Sequence, residues 1–354
     1  MPTQRIEYID AMRGFTMLLV VYCHIVVQCL HIHSFTFNHL FLAFIMPLFF
    51  FISGWVMYKA RREWGKKETG QYIKNKFLTL IIPSVVFWVA FICIFQVTDT
   101  MLWFDAFKCG YWFTYALFQY FLFYVITMML VPRKWKNTKK EDAIVITVAA
   151  TIAIVSLCTR LLVVSDMMAS HNLGTLHAVL AHYIGAIQWY YYVFFCLGTL
   201  VKKYFNTFIR LTDNKWFMAI IIACTFILAI LQERTDGLTF IIPGLLLPAM
   251  CIFVIFTFFR KNEQIFTKDT RLGRTLQHIG RRTLDIYMLH YFFLPKNLRF
   301  VGDFFDQHSN PTLEFFISMA LALMVVALSL AVSNVIRLSP LLAKYLFGVK
   351  EKHQ

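Results

Sequence analysis

Long apolar runs return at short intervals along the whole chain, and they leave little room for any fold other than a bundle of membrane-crossing helices. Ten can be marked, at about 11–31, 38–58, 77–96, 112–132, 143–164, 184–201, 216–232, 239–259, 282–299 and 313–338. Each lies near the length, about 17 to 25 residues, that a helix needs to cross the hydrocarbon core. In lipid the backbone must satisfy its own hydrogen bonds, so such runs are read as helices. Composition agrees: 59% of the residues are hydrophobic and 15% charged, whereas soluble domains are nearer half apolar and a quarter charged. The expectation is an all-α polytopic membrane protein of about ten helices, forming one integral membrane domain over residues 1–354. Asp285 and His290 interrupt the ninth run. The first run is too long for a signal peptide, lacks a small-residue cleavage site and carries Arg13 and His24, so it is expected to stay in the mature protein.

A net charge of +15 first suggests a nucleic-acid binder, but its distribution points elsewhere. The loops after runs two, four, six and eight hold 23 Lys and Arg residues, from Lys59 to Arg282; the alternate loops hold 4, namely Lys108, Arg234, Lys296 and Arg299. Alternation of this kind is the positive-inside signature. It predicts both termini in the cytoplasm and makes the charge a topology signal. No aromatic and basic platform outside the apolar runs accompanies it, so no nucleic-acid partner is expected. The eight cysteines sit mostly inside apolar runs and form no C-x-x-C pair, as small buried apolar residues do.

The first run carries the ionisable groups that matter most. Arg13 and His24 are eleven residues apart, about 20° beyond three whole turns, so both lie on one face, roughly 16 Å apart along the axis. Asp10 falls near the same stripe. Ionisable groups at membrane depth are costly and by default mark a functional pathway. A neutral imidazole at His24 can take a proton from an alcohol and return it to a leaving group, or it can simply bond to a neighbouring helix. The Arg13 fork suits a phosphate or carboxylate, or it pairs with Asp10. The two residues are too far apart to touch.

Other polar groups are sparser. Ser53 and Gly54, before Trp55, close the second run and suit either helix packing or substrate contact. No G-x-S-x-G elbow supports Ser53 as a nucleophile. Gln119, Arg160, Gln188, Asp285 and His290 lie within other runs. Tyr111-Trp112-Phe113 and Trp189-Tyr190-Tyr191-Tyr192 suit an interfacial belt or stacking on a sugar face. Between Ser165 and Tyr183 stand Asp166, His171, Asn172, His177 and His182 without a Lys or Arg, a polar lid or an ordinary loop. The three histidines have no zinc-site spacing, and no metal is expected.

These residues bring a family into view. Arg5-x-x-Tyr8-x-Asp10-x-x-Arg13-Gly14, with ten residues between Arg13 and His24, resembles the first-helix signature of the membrane acyltransferase-3 family. Pro47-Leu-Phe-Phe-Phe-Ile-Ser53-Gly54-Trp55 continues the likeness. Tyr72-x-Lys74-x-Lys76 before Ile82-Pro83 is similar too, with Lys where the family more often has Arg. Trp112-Phe113 and Gly280-x-x-Thr283-Leu-x-Ile286-Tyr287-x-x-His290 extend the resemblance over almost the whole chain.

The resemblance implies an integral membrane enzyme that moves an acyl group, often acetyl from acetyl-CoA, onto a carbohydrate hydroxyl. The donor would be cytoplasmic and the acceptor, in many members, on the outer side. Carried onto this chain, His24 would be the essential base and Arg13 the second essential residue, serving the acyl-CoA. Ser53, Gly54 and Trp55 would line the donor route, with Lys74 and Lys76 beside it, and Asp10, Trp112 and His290 would contact substrate. The protein would sit in the cell (inner or plasma) membrane with acyl-CoA as co-substrate and no resident cofactor. Some members carry an extra C-terminal soluble domain; nothing of that kind follows the last run here, so transfer is expected within the helical core. A proton-coupled transporter is the alternative from another class, since buried Arg, His and Asp would suit one. No paired broken helices or corresponding halves support it.

Overall fold

The computed structural model describes residues 6–32, 36–59, 64–98, 105–168, 179–234 and 241–349, and the described residues are helical without a strand. The expected His171, Asn172 and His177 of the polar loop and Arg5 of the first motif lie outside them, as does the side chain of Asp166. Among the described residues seven helices are long and apolar enough to cross a membrane: Glu7–Leu30, Leu40–Met57, Lys66–Phe95, Trp112–Leu130, Lys139–Val163, Gly244–Lys261 and Pro311–Ile336. An eighth follows if Phe205–Asp213 and Lys215–Leu231, bent by 83°, count as one span. The chain is an all-α polytopic membrane protein.

Eight of the ten expected runs correspond to these segments; the sixth and ninth take other forms. In the sixth, Gly185 adopts a left-handed conformation (φ 76°), which a residue without Cβ reaches at little cost. A π turn, Val179–Ile184, precedes it; a 3₁₀ stretch, Ala186–Tyr191, and an α-helix, Tyr192–Lys203, follow. In the ninth, the helix Thr283–Phe293 has 11 residues, about 16 Å of rise. It stops because Pro295 excludes the helical region for Leu294, whose backbone is extended.

The chain divides into two compact units. The first comprises Met1–Ile52 and Tyr204–Val335. Its central helix, α1 (Glu7–His24), has Glu7 and Asp10 in its first turn, where the helix dipole favours negative charge. The helix Arg271–Arg281, here α2, packs across α1 through glycine. A Cβ on Gly14 would collide with the Leu276 carbonyl, and one on Gly280 with the Asp10 carbonyl. Only hydrogen at both positions lets the two backbones approach this closely. Thr270 caps α2, its hydroxyl accepting from the Gly273 N–H at 2.9 Å. Aromatic contacts tie α1 to the helix Ile241–Lys261: Tyr8 lies edge-on to Phe256 at 6.0 Å and Phe15 meets Phe259 at 5.6 Å. Helix α3 (Thr283–Phe293) follows α2 after a single non-helical residue, Arg282. Arg282 donates to Asp285 at 3.1 Å and to Ser333 at 3.0 Å, which pairs the buried Asp285 carboxylate.

The second unit comprises Ser53–Lys203 and Ile336–Gln354. Gly54 repeats the close-approach device, since a Cβ there would strike the Phe195 carbonyl. Phe195 also meets Phe121 at 5.5 Å. Lys203 joins Glu141 at 2.9 Å and Asp142 at 2.5 Å, and all three side chains are largely buried. Those two hydrogen-bonded pairs more than offset burial of the ammonium and push the Lys203 pKa up.

Candidate active site

His24 is the last α-helical residue of α1. The chain continues as a π-helix, Ile25–Leu30, a form that is rare and frequently found at functional sites. The sequence reading anticipated an unbroken helix here. The imidazole has one polar partner at each ring nitrogen. Gln28 Nε2 lies 3.0 Å from Nδ1 and the Tyr291 hydroxyl, on α3, lies 3.2 Å from Nε2. The Gln28 amide sets the tautomer. With its NH₂ toward the ring, His24 carries its proton on Nε2; with its carbonyl toward the ring, Nδ1–H donates and Nε2 holds a lone pair that accepts from Tyr291. The second form is the one able to act as a base.

His290 belongs to the same cluster. Its ring centroid is 5.1 Å from that of His24 and 4.1 Å from that of Tyr291, and Tyr291 is 5.0 Å from His24. His290 is fully buried. Its Nδ1 faces the carbonyls of Tyr287 at 2.8 Å and Ile286 at 3.1 Å. Two residues singled out 266 positions apart in sequence thus stand ring against ring.

Arg13, three turns earlier on α1, is about one-third exposed. Its Nη2 donates to Thr283 Oγ1 at 3.2 Å, and Nη1 stands 4.0 Å from Asp10 Oδ1. Asp10 itself is buried. The pairing of Arg13 with Asp10 and its place on the His24 side of α1 were legible in the sequence; its contact with the first residue of α3 was not. The first unit therefore brings together four expected residues, Asp10, Arg13, His24 and His290, along one helix and its partner. It adds Gln28, Thr283 and Tyr291, which sequence reasoning missed as site residues. Two of these had a readable signal: Gln28 is one turn from His24, and Tyr291 adjoins His290.

The remaining expected residues lie in the second unit. Trp55 is buried, and the Lys202 ammonium lies 5.6 Å from its ring centroid. Burial, with Lys59 nearby, holds Lys202 below the ordinary lysine range. Lys76 lies 4.0 Å from the Phe121 ring centroid and 5.7 Å from that of Tyr72, whose hydroxyl donates to Met57 Sδ at 2.9 Å. Lys74 is exposed. Trp112 stacks on Tyr191 at 5.8 Å. Gln119 and Arg160 both turn out to hold the irregular sixth run. Gln119 donates to the Ile184 carbonyl at 2.9 Å and accepts from Trp189 at 2.8 Å. Arg160 donates to the Ile187 carbonyl at 2.8 Å and lies over the Tyr190 ring. A small open pocket is lined by Tyr58, Lys59, Trp64, Tyr124, Lys136 and Glu141, among others. Among the described residues no group of three His, Cys, Asp or Glu side chains is placed to hold a metal ion.

Compared with protein families, residues 6–333 match a family model described as an acyltransferase domain, that of the acyltransferase-3 family. No curated protein and no solved structure matches the chain.

Proposed function

The chain belongs to the acyltransferase-3 family and is a membrane acyltransferase; from that premise we propose that it moves an acyl group, acetyl first among them, from acyl-CoA to a hydroxyl of a carbohydrate. The acceptor class is a surface polysaccharide or its lipid-linked precursor. The observation that carries the assignment of roles is the His24 geometry. An imidazole whose two nitrogens are each engaged by one polar side chain, at 3.0 and 3.2 Å, has the arrangement of a base with an orienting partner.

In this mechanism the Gln28 amide turns its carbonyl to His24 Nδ1–H, which frees the Nε2 lone pair, and the acceptor hydroxyl takes the place of the Tyr291 hydroxyl there. His24 removes its proton as the oxygen attacks the thioester carbonyl. The carbon–sulfur bond then breaks, and the proton passes to the leaving thiolate. Arg13 serves the anionic donor, its guanidinium held by Thr283 and Asp10 and one-third open to approach. Asp10 sets the Arg13 side chain. Ser53, Gly54 and Trp55 serve the donor route with Lys74 and Lys76, Trp112 offers a stacking face to sugar, and His290 supports the acceptor. The alternation of basic loops supports cytoplasmic termini, a cytoplasmic donor and residence in the cell (inner) membrane.

The test is transfer of labelled acetyl from acetyl-CoA to glycan in membranes carrying wild type, His24→Ala or Arg13→Ala at equal abundance. Label in wild type, none in His24→Ala, and CoA binding lost only in Arg13→Ala is the expected pattern. Labelling that survives His24→Ala would overturn the role of the base. No labelling on any carbohydrate acceptor would return the proton-coupled transporter to first place.

A further inference from the structure

Beside His24 lies a polar atom that the acyl-transfer chemistry above does not use. His290 Nδ1 faces two carbonyl oxygens, of Tyr287 at 2.8 Å and Ile286 at 3.1 Å. A carbonyl only accepts, so Nδ1 must carry the proton, and Nε2 of the neutral ring is a bare lone pair. That Nε2 is buried and, among the described residues, has no hydrogen-bond partner. Buried polar atoms are nearly always paired, and an exception calls for a functional or structural reason. The same two carbonyls suit the protonated ring better still, because an imidazolium donates more strongly from Nδ1. His290 is thus built to receive a proton at Nε2, and none of the described residues donates one to it.

The ring beside it is His24, with centroids 5.1 Å apart and planes inclined by 36°. The groups around His290 are few. On α3, Tyr287 and Tyr291 present their rings at 6.0 and 4.1 Å. Asp285, more than a turn earlier, is already paired with Arg282 and Ser333. On α1, His24 presents its ring at 5.1 Å.

We propose that His290 is a proton-sharing partner of the base: its Nε2, out of hydrogen-bonding reach of His24 at rest, comes within reach as His24 takes the acceptor's proton and then shares that proton. This rests on the acyltransferase reading. The bookkeeping closes without another reactant: the acceptor O–H and the thioester C–S bonds break, an ester C–O and a thiol S–H form, and the proton resides on the two-imidazole unit in between. A shared proton makes the pair titrate as a unit, with the charged form held more firmly than on either ring alone.

Histidine C2–H exchange followed by mass spectrometry reads the titration midpoint of each imidazole in the detergent-purified chain, whether or not it turns over. His290→Asn keeps a donor toward the two carbonyls and removes Nε2. The His24 midpoint is expected to fall by about one pH unit. kcat is expected to fall about 10- to 100-fold, its acidic limb moving to lower pH and KM staying within about twofold. His290→Gln, which restores an acceptor near the Nε2 position, recovers part of the loss. His24→Asn is likewise expected to lower the His290 midpoint, which keeps the test open should His290→Asn fail to fold. Unmoved midpoints overturn the proposal, as does a lower kcat with an unmoved acidic limb, which a purely structural histidine would produce. Shifted midpoints in a chain that transfers no acyl group would sustain the coupling and overturn the acyltransferase roles instead.

Discussion

Replacing Gly14 by alanine tests the idea that a glycine seam holds the active helix in place. The new Cβ would overlap the backbone carbonyl of Leu276, with Gly280 N also close. Neither is the end of a flexible side chain, so the contact is relieved only if α1 and α2 part. Restoring an ordinary contact of about 3.5 Å requires a shift on the order of 1.5 Å. Overpacking of this kind costs about 1–3 kcal/mol, against a gain of about 0.8–1 kcal/mol from exchanging glycine for alanine inside a helix. The net loss should be up to about 2 kcal/mol. The same shift would stretch the 3.2 Å bond from Arg13, the neighbouring residue, to Thr283 past hydrogen-bonding range, so activity should fall with stability. With Cys93, Cys109, Cys158 and Cys224 replaced by serine, the buried free thiols Cys23, Cys29, Cys196 and Cys251 become accessible only as the chain opens, and a thiol-reactive fluorophore during heating reports unfolding. Gly70→Ala is the control: a Cβ there meets nothing within 4 Å, and its midpoint should stay level or rise. Gly14→Ala and Gly280→Ala open one seam, so their combined loss should be less than the sum. A Gly14→Ala midpoint equal to wild type, or full additivity with Gly280→Ala, would refute the seam.

Three further substitutions probe other contacts. Arg282→Ala removes the guanidinium that pairs with the Asp285 carboxylate, 2% exposed, and should cost about 3–5 kcal/mol; thiol-detected melting should show the loss, and Asp285→Asn in the same chain should recover much of it. Lys203→Met strands the adjacent Glu141 and Asp142 carboxylates and should lower the melting midpoint by several degrees, with Glu141→Gln restoring part of it. Thr283→Val removes the hydroxyl that Arg13 reaches, and transfer assays should find KM for acyl-CoA raised about three- to tenfold with kcat little changed; a change confined to kcat would argue against the donor role of Arg13.

How far the sequence reached is clearest at α1. Helix periodicity alone puts Arg13 and His24 on one face, and an arginine and a histidine inside an apolar run mark that face as functional. Contact between His24 and His290 was not legible, because no local rule states which of many apolar faces meets which. Helix shape also resisted reading. Hydropathy marks the sixth and ninth runs as it marks the others, yet Gly185 and Pro295 interrupt them through backbone geometry that an apolar count ignores.

The sequence by itself determined the solvent and the building block. Apolar runs of spanning length, with basic residues in alternate loops, are stable only as helices in a bilayer, since lipid leaves the backbone no other partner. It also determined which helix carries the reactive groups. Tertiary structure decided what those groups touch. Packing at Gly14 and Gly280 brings backbones into contact, and only then do Thr283, His290 and Tyr291, some 270 residues away along the chain, arrive beside Arg13 and His24. Proximity of that kind comes from long-range steric fit, where one absent Cβ sets the distance, and such fit leaves no periodic trace in the order of the residues.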